Sequence, residues 1–151
     1  MSKTYSTYGL WTAVLLIAYF LLIRLIGWHH YPILSAVNGI IFGFGIYLSL
    51  KKFISTFPEK KYEKGFEVGF LTGVIASVIF TIFMAIYMYQ LDTEFAYNIM
   101  AQWNMEEDLS TFMLLVAILI MGIVTSLILT FSFMQLLKTS WNTKDGNRNT
   151  L

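Results

Sequence analysis

Apolar residues run through this chain in four long blocks, and charged residues fall almost entirely between them. Thr4–Ile23, Leu25–Leu50, Val68–Leu91 and Leu109–Leu137 contain no Asp, Glu, Lys or Arg. A bilayer core about 30 Å thick takes roughly 20 apolar residues of helix to cross. The blocks therefore predict four membrane-spanning helices near 8–27, 33–50, 66–90 and 109–136. Barrel strands would be shorter and would alternate in polarity, and these runs do neither. The expected fold is an all-α, integral membrane four-helix bundle that forms one domain over 1–151, with 138–151 as a polar tail.

Composition agrees with this pattern. Hydrophobic residues make up 57 % of the chain and charged residues 13 %, against about 45–50 % and about 25 % in soluble domains. A small soluble sphere could not hide so much apolar surface. The 10 Lys+Arg and 9 Asp+Glu nearly cancel, which leaves no broad basic surface for nucleic acid. The absence of cysteine removes disulfides, thiolate metal sites and thiol nucleophiles together.

The N-terminal block is compared first with a cleaved signal peptide. Arg24-Leu-Ile-Gly-Trp-His-His stands where a small-residue cleavage site belongs, so the first span is expected to stay. Lys3, Lys51, Lys52, Lys60, Lys61, Lys64, Lys138, Lys144 and Arg148 fall on one side of an even-numbered topology, nine of the ten basic residues. The opposite side holds Arg24, and its 91–108 segment carries Asp92, Glu94, Glu106, Glu107 and Asp108 with no basic residue. The positive-inside rule then puts both termini in the cytoplasm. Tyr5, Tyr8, Trp11 and Phe53 suit the inner interface, and Trp28, Tyr31, Tyr87 and Tyr89 the outer one.

Small residues recur every four positions within the spans. Span three carries Gly65, Gly69, Gly73, Ser77, Thr81 and Ala85; span two carries Ser35, Gly39 and Gly43, with Gly45 alongside; span four carries Gly122, Ser126 and Thr130. Membrane helices associate through close backbone approach, which small residues permit. Spans two and three are expected to pack tightly as an antiparallel pair, leaving the row on span four for another helix or a second copy. The only prolines, Pro32 and Pro58, are read as loop residues. Packing is therefore preferred to hinges as the role of the glycines.

The segment 91–108 is too polar to span. Asp92 or Thr93 can cap a short helix in which Phe95, Ile99 and Trp103 recur every four residues. Such a helix suits the outer leaflet or a position folded over the bundle. Glu106, Glu107 and Asp108 precede span four, where carboxylates favour a helix N-terminus.

Chemistry is scarce. No ionisable residue lies at the middle of a span, so a proton relay is disfavoured. Arg24 is expected to snorkel to the headgroups, and Glu67 to meet Lys64 or Lys60. Asn38, Ser77, Thr81 and Thr125 are the deepest polar groups, expected to hydrogen-bond between helices or to their own backbone. His29 and His30 are adjacent, and on a helix they would diverge by about 100°. They are read as interfacial residues, not as metal or haem ligands. No GxSxG, HExxH, Walker sequence or GxGxxG occurs. The basic loop 51–64 is read as a contact with anionic lipid, with a cytoplasmic partner as the alternative. No catalytic residue, metal or cofactor is expected.

Several short motifs carry a resemblance: Tyr8-Gly9 in span one, Gly45-Ile46-Tyr47 in span two, Gly65-Phe66-Glu67-Val68-Gly69 opening span three, and Tyr89-Gln-Leu-Asp92-x-x-Phe95 after it. In these the chain resembles a domain-of-unknown-function family of short four-span inner-membrane proteins common in Bacteroidota. The resemblance implies a bacterial inner-membrane setting and no known substrate or site. The expected role is a non-enzymatic structural or accessory subunit in the lipid bilayer. It would form a homo-oligomer or bind other membrane proteins through its small-residue faces. A small oligomeric transporter or channel is the alternative.

Overall fold

The computed structural model describes residues 2–27, 32–57, 62–102 and 110–137; of Ser2, 32–35, Ala96, 99–102 and Ser110 it describes the backbone only. Helices α1 (Ser2–Ile26), α2 (Pro32–Thr56), α3 (Tyr62–Ile86) and α5 (Ser110–Leu136) are the four long elements, and a short α4 (Thr93–Gln102) follows a π-helical turn at Tyr87–Leu91. Each long helix has a stretch long and apolar enough to cross a membrane. No strand occurs among the described residues. The fold is a four-helix membrane bundle.

The helices outrun the spans read from hydropathy, because α2 and α3 continue through polar residues past the apolar blocks. Pro32 is a helical residue, not a loop residue. It opens α2, where its missing N–H costs nothing and its fixed φ already matches a helix. Gly27 ends α1 at φ 79°, a left-handed conformation that glycine adopts without strain.

Helix α3 is the centre of the bundle, packed against α1, α2 and α5. Helices α2 and α3 pack as the expected pair, but the small-residue row of α3 meets the row of α5 and not that of α2. A Cβ on Gly73 would overlap the Ser126 hydroxyl, and one on Gly122 would overlap the hydroxyl of Ser77. A Cβ on Gly69 would lie 2.8 Å from Thr130 Cγ2, and one on Gly65 3.0 Å from Met134 Sδ. The two rows thus run antiparallel with each glycine facing a larger residue. This spacing brings the backbones together, and dispersion contacts stabilise the pair.

Helix α2 does reach α3, but through large residues: Ile46 and Leu50 lie 3.1 Å from the Cβ positions of Gly73 and Gly69. The Ser49 and Thr72 hydroxyls, both fully buried, hydrogen-bond across that contact at 2.8 Å. The glycines of α2 point elsewhere. Gly45 receives Thr12 of α1, a Cβ on Gly43 would lie 3.6 Å from Leu129 and Phe133 of α5, and one on Gly39 would meet nothing within 4 Å among the described residues. Among the described residues, then, nothing packs into the space beside Gly39. Ser35 lies on α2 with its side chain outside the described residues. On α1, Gly9 sits against Ile75 and the Thr72 carbonyl of α3.

Candidate functional site

Two features of the bundle bring polar groups of different helices together or hold them within its interior. The first joins the end of α1 to the start of α4. The α-helical hydrogen-bond pattern of α3 loosens to a π turn at Tyr87–Leu91, closed by a bond from the Asp92 N–H to the Tyr87 carbonyl at 2.9 Å. Such a turn redirects the side chains that follow it and is common where a helix serves a special purpose. Here it turns Tyr87 inward, 7 % exposed, and delivers Asp92 to the top of α4.

Asp92 Oδ1 accepts the Phe95 N–H at 3.0 Å, which caps α4 at its third residue. Its other oxygen, Oδ2, takes the Nη2 donor of Arg24 in a close ion pair. Arg24 Nε donates to Tyr87 Oη at 2.9 Å, and Tyr87 Oη donates to Asp92 Oδ2 at 3.3 Å. Arg24, expected at the interface, has a side chain 28 % exposed that turns to a carboxylate of the same chain. Fork geometry explains the choice, since one guanidinium serves two acceptors at fixed angles.

Aromatic rings shield this triad. The Arg24 guanidinium stands 5.1 Å from the centre of the Phe95 ring, an attraction worth about 0.5–1 kcal/mol. Phe20 meets Phe80, Phe83, Tyr87 and Phe95 edge-on at 5.1–6.4 Å. Edge-to-face rings attract through their quadrupoles, so Phe20 ties α1, α3 and α4 at one point. Below it Met84, Met88 and Leu115 complete a second apolar core. The triad closes on itself and is built to hold α4 down over the bundle.

The second feature is a cavity of about 390 Å³ near the middle of the spans. Leu16 of α1, Asn38, Gly39 and Phe42 of α2, Ser77 and Phe80 of α3, and Ile118, Met121, Gly122 and Thr125 of α5 line it. Gly39 and Met121 are both exposed, so the cavity opens sideways between α2 and α5. Ser77 donates to the Gly73 carbonyl at 2.8 Å. Asn38 Oδ1 is buried with no hydrogen-bond partner, as are Thr81 Oγ1 and Thr130 Oγ1.

Several other polar groups of the described spans hydrogen-bond inside the protein. Thr12 donates to the Tyr8 carbonyl at 2.7 Å, Thr72 to the Val68 carbonyl at 2.7 Å, and Ser126 across to the Phe70 carbonyl at 3.0 Å. Lys64 pairs with Glu67 at 2.9 Å at the exposed start of α3. His29, His30, Lys60, Trp103 and 104–108 lie outside the described residues.

Sequence reasoning placed Arg24 and Asp92 on one side of the membrane without joining them. The usable signal was charge: Arg24 is the only Lys or Arg on a side rich in carboxylates. The cavity had no such signal, because Gly39 reads like the other glycines of its row. These features define a multi-pass membrane protein of the four-helix-bundle class. Comparison with protein-family profiles, with curated proteins and with solved structures yields no match.

Proposed function

We propose that this chain is a non-enzymatic structural or accessory subunit of a bacterial inner membrane, with both termini in the cytoplasm. One observation carries the reading. The polar side chains inside the spans mostly bind other helices or their own backbone, as in a scaffold. The orientation rests on the nine basic residues gathered on one side. The bacterial setting rests on the resemblance of the four short motifs to the Bacteroidota family.

Association with its own copies or with other membrane proteins belongs to the same proposal. The rows on α3 and α5 are occupied within the chain, so the outward faces of α1 and α5 would serve, where Trp11, Leu22, Phe112, Ile120 and Ile128 are exposed. The test is purification of the tagged full-length protein in mild detergent, with mass spectrometry of what accompanies it. A companion in fixed stoichiometry is the expected result. Recovery of a lone monomer would overturn the proposal.

The mid-bundle cavity favours a second reading, a small oligomeric transporter or channel. Solute flux in liposomes holding only this protein would support that reading against the first.

A further inference from the structure

We propose that the cavity between α2 and α5 is an intramembrane binding site for a membrane-dissolved amphiphile, an elongated apolar molecule bearing a single hydroxyl or carbonyl. This inference does not depend on the accessory role, since a scaffold with or without partners can hold such a molecule.

Volume comes first: about 390 Å³ falls within the range of roughly 300–1,000 Å³ typical of small-molecule sites. Shape comes next. The missing side chain at Gly39 leaves space that no described residue enters within 4 Å, and Gly39 and Met121 frame an opening towards the lipid. A ligand would therefore arrive sideways, from the bilayer and not from water. Leu16, Phe42, Phe80 and Ile118 supply apolar walls for a chain or ring.

Polarity decides the class. Asn38 lines the cavity, and its Oδ1 is buried without a partner. With no water at this depth, an unsatisfied amide is costly, and such residues in spans mark functional positions. No described residue bonds the Oδ1, and the terminal torsion of asparagine is soft. The amide can therefore turn towards the cavity, where its carbonyl accepts from a hydroxyl or its NH₂ donates to a carbonyl. No charged group among the described residues lines the cavity, which favours an uncharged headgroup.

The test uses the full-length protein in phosphatidylethanolamine–phosphatidylglycerol nanodiscs and a diazirine-bearing hexadecanol as probe. After photolysis, labelled peptides are mapped by mass spectrometry. Saturable labelling at residues such as Phe42, Ile118 and Met121 is expected, displaced by plain hexadecanol and about five-fold less well by hexadecane, the factor for one neutral hydrogen bond. Gly39→Phe, which fills open space and leaves helix contacts alone, should abolish the labelling. Asn38→Leu should weaken it about five-fold.

Three results would overturn the proposal. One is labelling that rises linearly with probe and is the same in both variants, which is bulk lipid contact. Another is full labelling in Asn38→Leu with loss in Gly39→Phe, which leaves an apolar groove without the polar contact. The third is copy-to-copy cross-linking of Gly39→Cys in place of labelling, which puts a second copy there.

Discussion

Ser126 of α5 sits in the space left by the missing side chain of Gly73 on α3, and from there its hydroxyl donates to the Phe70 carbonyl at 3.0 Å. The contact shows why a glycine is needed at that position. A Cβ would push the helices apart and break the hydrogen bond with them. The same relation repeats with roles exchanged one turn away, where Ser77 of α3 meets Gly122 of α5. Small residues thus serve as a lock between two particular helices.

Glycines of one helix should differ sharply in their tolerance of substitution. A Cβ on Gly45 would overlap the Thr12 hydroxyl, so Gly45→Ala should cost about 1–3 kcal/mol of stability, as overpacking does. Gly39→Ala meets open space and should be neutral or stabilise by up to about 1 kcal/mol through helix propensity. Unfolding in micelles by titration with SDS measures both. Thr12→Gly should recover much of the loss in Gly45→Ala.

Arg24 and Asp92 should be coupled. The pair is partly exposed, at 28 % and 20 % of the side chains, so its worth lies between that of surface pairs and buried ones. Arg24→Ala or Asp92→Asn should each cost about 1–3 kcal/mol, and the double variant about as much as either single one. Arg24→Lys should not rescue, because a lysine lacks the fork that reaches Tyr87 and Asp92 together. A double-mutant cycle on unfolding free energies checks this.

The four-span path predicts opposite accessibility at two exposed positions. Cysteines placed at Ser55, near the end of α2, and at Glu94, on α4, should label from opposite faces of intact cells with a membrane-impermeant maleimide. The positive-inside reading adds that Glu94→Cys labels from outside.

The spans were legible in the sequence because length and polarity alone determine what can cross a bilayer. Helix α4 was legible as well, since Asp92 is a capping residue at the right place before an amphipathic stretch. The small-residue rows could be seen, but not their partners. A repeat of four marks a face of a helix and carries no information about which other face it meets. So the α3 row, expected to serve the α2–α3 pair, lies against both Ser126 of α5 and Ile46 of α2 at Gly73. The Arg24–Asp92 pair joins residues 68 apart in the chain, a separation over which local pattern says nothing about register. The π turn at Tyr87–Leu91 had no signature either, because Tyr-Met-Tyr-Gln-Leu is equally compatible with an ordinary helical turn.

The central structural claim is that the lock between α3 and α5 lies within one chain. Gly73→Leu tests it most directly, with thermal stability and oligomeric state measured on the same purified sample. The account predicts a loss of about 3 kcal/mol or more, with the number of copies per particle unchanged. Unchanged stability together with a fall in copy number would contradict it, and would place the row between copies.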